Sequence, residues 1–329
     1  MSMRPTFPAA LLLFGGLAVF AQNAAPPPTP TEPAAPQQAG GQGDAPGERI
    51  ITITYDGGTR NSPDLRYGPY VYEHPRPDGI RANVSNLDIF AQRGELRAPD
   101  EVLIAEAEGE REASFTGGVR VERGRLTATG PGLEYSEATG RGVMPQKPAI
   151  VVEPAEEGGD VVNIETDEVT FDVDTDTSVS RGNVTLTSGN QDAQAQELTF
   201  EEARDLAVLS SGGEQVTVRR RNDDGTFLTI TADGVRVLTG QDTLLGRGNV
   251  TIVDGDITTT GDTIFYDDET SRAEVIGNPA VSVDTAFGSR ITGGRIEQRT
   301  DTDLVRQLSD PTPSFDAAAF NLTGEAAAP

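Results

Sequence analysis

A Gly-x-Val triplet returns at nearly constant spacing: Gly117-Gly118-Val119, Gly182-Asn183-Val184 and Gly248-Asn249-Val250 stand 65 and 66 residues apart. A second series interleaves with it, Pro148-Ala149-Ile150, Glu214-Gln215-Val216 and Pro279-Ala280-Val281, at 66 and 65. A third marker, an apolar-x-apolar pair ahead of a turn, falls at Val102/Ile104, Leu133/Tyr135, Val169/Phe171, Leu198/Phe200, Val235/Val237 and Ile264/Tyr266. Every second pair is 65 to 67 residues from its counterpart, whereas neighbouring pairs alternate between short and long gaps. The unit is therefore about 66 residues in two unequal halves of about 33. A repeat of that size buries its apolar faces against its neighbours.

Within each half, apolar and polar residues alternate, as in Val250-Thr251-Ile252, Leu198-Thr199-Phe200 and Val281-Ser282-Val283. Period two is the mark of a half-buried strand. Turn residues fall between the runs, for example Val253-Asp254-Gly255-Asp256 and Tyr266-Asp267-Asp268-Glu269-Thr270-Ser271. Only Gln194 to Ala207 has marginal helical spacing. The expected fold is all-β: an elongated β-jelly roll, or stacked antiparallel hairpin sandwich, built from those halves. If successive hairpins alternate between two facing sheets, only every second half meets the same neighbours, which accounts for the double period. The atypical segment 48–95 is expected to cap the N-terminal end, the repeats to fill 96–308, and the hairpin 290–308 to close the other end.

The two ends differ in composition. Arg4, the apolar run Ala9 to Phe20 and the small residues around Ala21 read as a secretory signal over 1–21, cleaved after Ala21. Residues 22–47, rich in Ala, Pro, Gln and Gly, read as a disordered tether, and 309–329 as a flexible tail. The run at the start is shorter than the ~20 apolar residues that a membrane-spanning helix needs, and no later segment supplies them, so an exported chain that does not span the membrane is expected. Against 52 Asp and Glu stand 26 Lys and Arg, a net charge of −26, which excludes gripping a nucleic-acid backbone. With no Cys and a single His, His74, thiol chemistry, Cys-ligated metals and multi-His metal sites are excluded as well.

The string Gly248 to Val283, GNVTIVDGDITTTGDTIFYDDETSRAEVIGNPAVSV, recurs as GNVTLTSGNQDAQAQELTFEEARDLAV and as the more divergent GGVRVERGRLTATGPGLEYSEATGRGV. It resembles the OstA-like repeat of the LptA-like family, the organic-solvent-tolerance and lipopolysaccharide-transport proteins of the cell envelope, over roughly 96–308. The resemblance implies a periplasmic β-jelly roll whose apolar interior shields the acyl chains of a lipid in transit. It further implies open edges that join end to end with copies of the chain or with kindred domains.

On that reading the lipid-facing candidates are Val119, Val121, Leu133, Tyr135, Val184, Leu186, Leu198, Phe200, Val250, Ile252, Ile264 and Tyr266, which form one apolar strip if the strand registers hold. The same residues would equally pack against one another as a closed β-sandwich core. Asp172, Asp174 and Asp176 have the spacing that opens a calcium loop, but Thr177 and Asn183 stand where such a loop needs Gly and Glu, so a solvated turn is expected and no metal or cofactor. Arg219-Arg220-Arg221 is expected at a hairpin tip balanced by its own acids. Tyr67, Tyr70, Tyr72 and His74 are expected in a satellite core of the cap. The functional expectation is a non-enzymatic carrier of an envelope lipid or glycolipid. The alternatives are a structural envelope repeat with no cargo and, more remotely, a secreted β-solenoid enzyme acting on polysaccharide.

Overall fold

Alternation across the pleat is carried through to burial: Ile80–Val84 reads buried, exposed, buried, exposed, buried, and Val162–Glu165 repeats the pattern. The computed structural model describes residues 49–222, 225–310 and 312–325. The expected signal peptide at 1–21 and tether at 22–47 lie outside the described residues.

The N-terminal strands are β1 (Thr52–Thr54), β2 (Thr59–Asn61), β3 (Tyr70–Glu73), β4 (Ile80–Val84), β5 (Leu87–Ala91) and β6 (Arg93–Arg97). A long hairpin follows, β7 (Glu112–Arg123) and β8 (Leu126–Ser136), then four short strands, β9 (Arg141–Pro145), β10 (Ala149–Val152), β11 (Val162–Glu165) and β12 (Glu168–Asp172). The pattern repeats with the long pair β13 (Thr177–Ser188) and β14 (Gln191–Glu201). Its short strands are β15 (Leu206–Ser210), β16 (Val216–Arg221), β17 (Phe227–Ala232) and β18 (Gly234–Leu238). Four long strands and a short one end the series: β19 (Thr243–Asp254), β20 (Ile257–Asp267), β21 (Arg272–Asp284), β22 (Ser289–Arg299) and β23 (Leu304–Gln307). All named pairings are antiparallel and form one hydrogen-bonded network, as expected for an all-β jelly roll.

That network divides into two layers because each long strand has different partners at its two halves. β7 pairs β6 through Glu112–Thr116 but β5 near Val121, and β13 pairs β12 through Thr177–Arg181 but β11 through Thr185–Ser188. One layer, A, therefore runs through β2, β3, β6, the first half of β7, the second half of β8, β9, β12 and onward to β23. The other, B, runs through β1, β4, β5, the second half of β7, the first half of β8, β10, β11 and onward to the first half of β22.

The double period has a different cause from the one expected. Hairpins do not alternate between layers; every long hairpin crosses both. In the second half of the first two units the crossing strands are broken at the corner, as β9 from β10 at Gln146-Lys147-Pro148 and β11 from β12 at Thr166-Asp167, so four short strands replace two long ones, whereas in the third unit β21 and β22 run through unbroken. The marginal helical window is strand β14 and the start of β15 joined by a single 3-10 turn, Glu202–Arg204.

Apolar residues from both layers form one continuous cluster from Ile51 to Ile296. A second, smaller one corrects the reading of a flexible tail over its described part, 312–325. Phe320 is buried with Leu206, Leu238 and Leu245 on the outer face of layer A, and Phe315 stacks on Phe265 with centroids 4.6 Å apart. Arg204 and Arg236 donate to carbonyls of Ala319, Phe320 and Asn321, and Glu201 accepts from Thr323. The Ala- and Pro-rich composition concealed two phenylalanines with an apolar patch to cover.

Candidate functional site

The corners between the layers are built by the Gly-x-Val triplets. Gly182 and Asn183 have φ of 79° and 47°, Gly248 and Asn249 78° and 46°, and Gly117 and Gly118 89° and 76°. Two residues in the left-handed region oppose one on the partner strand, a bulge that swings the strand from one layer into the other. In β8 the opposing residue is Pro131, which has no N–H to leave unpaired. An aspartate 15 residues upstream locks each later corner. Asp167 Oδ2 accepts from Asn183 Nδ2 at 2.6 Å, Asp233 Oδ2 from Asn249 Nδ2 at 2.7 Å, and Asp262 Oδ2 from the backbone N of Asn278 at 3.1 Å. A Cβ on Gly182 would stand 2.6 Å from Asp167 Oδ2, so the glycine is required by space as well as by conformation. Sequence reasoning missed these aspartates, though their fixed offset from Gly182, Gly248 and Gly277 is visible in the chain.

The corners place the candidate strip as a set. Val119, Val121, Val184, Leu186, Val250 and Ile252 line layer B; Leu133, Tyr135, Leu198, Phe200, Ile264 and Tyr266 line layer A. All twelve fall in the main cluster and none is more than 7% exposed. The structure thus brings every one of them together, packed as a filled interior rather than an open groove. The two tyrosines keep their hydroxyls at the rim: Tyr135 Oη donates to Arg49 O at 2.7 Å and Tyr266 Oη to Asp268 Oδ1 at 2.8 Å. Burial pushes the ionisation of both well above the ordinary tyrosine range.

Opposite the corners, hairpin tips of the two layers meet along a polar seam. Asn86 Nδ2 of layer B donates to Asp176 Oδ1 of layer A at 2.7 Å, and Arg123 Nη1 to Thr177 O at 3.1 Å. Arg125 pairs with Asp205, and Arg220 reaches both Asp268 at 2.8 Å and Tyr266 Oη at 3.2 Å. Arg123 is 98% covered, and its burial lowers its pKa despite Glu202 nearby. Two cavities open on this seam. One of about 590 Å³ lies among Arg125, Glu153, Asp160, Arg204 and Asp242, and one of about 580 Å³ among Asn222, Asp256, Phe287 and Asp301.

At the N-terminal end the carboxylate of Glu137, fully buried, accepts from Ile51 N, Gly109 N, Arg111 N and the Arg111 guanidinium, tying the first strand of layer B to layer A. The acidic run is a turn whose groups all have partners. Asp172 accepts from Asp174 N and Thr175 N, Asp174 pairs with Arg49, and Asp176 takes Asn86. Of the arginine cluster, Arg219 pairs with Asp192 on the neighbouring strand β14 and Arg220 with Asp268 across the seam, while the expected tip acids Asp223 and Asp224 lie outside the described residues. Tyr72 joins the main core, His74 is buried and accepts from Arg76 N, and Tyr67 is exposed; no separate satellite core forms around them. Among the described residues no helix is long and apolar enough to cross a membrane.

A family model described as "LptA/(LptD N-terminal domain) LPS transport protein" matches residues 163–304. The resemblance read from the repeat strings is thereby shown for the second and third double units; the first lies outside the matched span. A solved structure of LptH from Pseudomonas aeruginosa, described as the LptA-homologous periplasmic component of the lipopolysaccharide transport device, is also similar. It is 12% identical over 41% of this chain and 92% of its own, with a TM-score of 0.29. At that score the fold rests on the strands described above. No curated protein matches the chain.

Proposed function

We propose that this chain carries the acyl chains of a lipopolysaccharide-like envelope lipid across the periplasm between its two β layers, without catalysing a reaction. The observation that supports this reading is the continuous apolar cluster between the layers, from Ile51 to Ile296, while among the described residues the strands at both ends of the stack have one unpaired edge. The match to lipopolysaccharide-transport proteins over 163–304 supports the choice of cargo. Because the interior side chains are covered, loading requires the layers to part at the seam, where polar contacts hold them, and not at the corners, where the backbone is continuous. The unpaired edges of β1 and β2 at one end and of β22 and β23 at the other invite edge-to-edge assembly with the same chain or kindred domains.

Lipid extraction and native mass spectrometry of the mature protein, purified gently from its host envelope, test the cargo. A co-purifying lipid that is lost in Phe200→Asp and Ile264→Asp, with the β signal retained, is the expected result. A second variant avoids a charge in the core. Asn86→Cys with Asp176→Cys, in a chain that has no cysteine of its own, clips the seam when oxidised and should block loading until reduced. Loading that proceeds through a clipped seam overturns the entry route. The covered state of all twelve interior residues favours the second reading, a scaffold without cargo. Absence of any lipid, with mass rising with concentration in light scattering, would establish it.

A further inference from the structure

The interior changes character in its last rung. Residues at one register position facing the core are Ala128, Ala193 and Thr259, each paired with the strand before it opposite Val121, Leu186 and Ile252. The next strand supplies Ile150 and Val218 opposite the two alanines, but Ser282 opposite Thr259. On the facing layer Phe171 and Val237 sit next to Gly142 and Ala207, and Gln298 sits in the equivalent place next to Ala273. Three positions that two earlier units fill with apolar side chains thus become hydroxyl, hydroxyl and amide together. All three are buried, Thr259 and Gln298 completely.

The three make a hydrogen-bonded chain across the interior. Thr259 Oγ1 lies 2.7 Å from Gln298 Oε1 and 2.8 Å from Ser282 Oγ. The amide oxygen can only accept, so the Thr259 proton goes to Gln298 and Ser282 donates to Thr259. Gln298 Nε2 is left buried with two protons and no acceptor, a cost that a stable core avoids. If structure alone were served, the residues of the earlier units would serve it better. The cluster sits one strand inside the C-terminal end, next to Ile291 in the half-exposed start of β22.

We propose that Thr259, Ser282 and Gln298 form a polar binding site inside the apolar interior for an oxygen-bearing group on a lipid acyl chain, either a chain hydroxyl or an ester carbonyl. A carbonyl oxygen accepts from Nε2; a hydroxyl accepts from Nε2 and donates to Ser282 Oγ. The site gives the last rung a preference among lipids that the purely apolar rungs lack. This rests on the carrier reading above.

Two matched pairs of probes test it by calorimetry on the full mature chain. β-Hydroxymyristate against myristate differ only by a hydroxyl; monomyristin against the glycerol monoether of myristyl alcohol differ only by the carbonyl. The chain should prefer an oxygenated member by about tenfold, the effect of one hydrogen bond. The triple variant Thr259→Ala, Ser282→Val, Gln298→Val, which restores the residue types of earlier units, should abolish the preference while melting no lower than the parent. Equal affinities within both pairs, or a preference that survives the triple variant, overturn the proposal alone. If the variant melts lower and the preference is unchanged, the cluster is structural and the proposal fails. No binding of any probe overturns the carrier reading and this proposal together.

Discussion

Replacing Gly182 by Ala tests whether the corner is held by the fit between a glycine and an upstream aspartate. At φ of 79° an L-residue pays about 1–2 kcal/mol for the left-handed region. The new Cβ would stand 2.6 Å from Asp167 Oδ2 and 3.0 Å from Asp167 Cβ, so the carboxylate must swing away and release Asn183, losing a further ~1 kcal/mol. The expected loss is about 2–3 kcal/mol. Asp167→Ala alone removes only the bond to Asn183 and should cost about 1 kcal/mol. The double variant should cost no more than Gly182→Ala, because the bond is lost once, leaving it about 1 kcal/mol short of the sum of the singles. Denaturant unfolding followed by circular dichroism reads these values. A Gly182→Ala protein within ~0.5 kcal/mol of the parent, or two strictly additive substitutions, would refute the reasoning, since either means that the glycine and the aspartate do not share the corner.

Removing Glu137 strands the Arg111 guanidinium and three backbone N–H groups, so Glu137→Ala should destabilise by about 3–5 kcal/mol; a shift in denaturant midpoint equivalent to less than ~1 kcal/mol would contradict the buried pair. Acid should free the C-terminal strap. Arg236 holds the Glu325 carboxyl down to about 2 from an ordinary 4.5, and although burial opposes it, Arg295 and Ser314 hold Glu274 below its ordinary value. Carboxyls depressed by folding stabilise above their unfolded value, so this contribution is complete at neutral pH and is lost as pH falls from about 4.5 towards 2. Hydrogen exchange over 312–325, corrected for intrinsic rate, should quicken in that window, and Glu325→Gln should already be fast at neutral pH; a strap equally protected across the window would contradict it.

The all-β fold was legible because its evidence is local and repeated. Period-two alternation and turn residues recur at every strand, and the Gly-x-Val triplets mark the repeat three times over. The twelve interior residues were legible for the same reason, since a strand's inward face follows from its own alternation once register is kept. Less legible were pairs made between distant segments. Asn86 and Asp176, 90 residues apart, or Arg49 and Asp174, 125 apart, meet only when neighbouring rungs and facing layers are in place. The tail was misread because its two phenylalanines carry no periodicity, and the patch they cover lies in Leu206, Leu238 and Leu245.

By itself the sequence determined strands, turns, repeat length and the side of each strand that turns inward, all of which follow from backbone stereochemistry and the alternation of apolar side chains over a few residues. Tertiary structure decided which half of each long strand belongs to which layer, where the seam closes, that the tail lies on layer A, and that Thr259, Ser282 and Gln298 meet. Those outcomes depend on contacts between segments far apart in the chain, where the free energy of burial and of hydrogen bonding is settled only once both partners are in place.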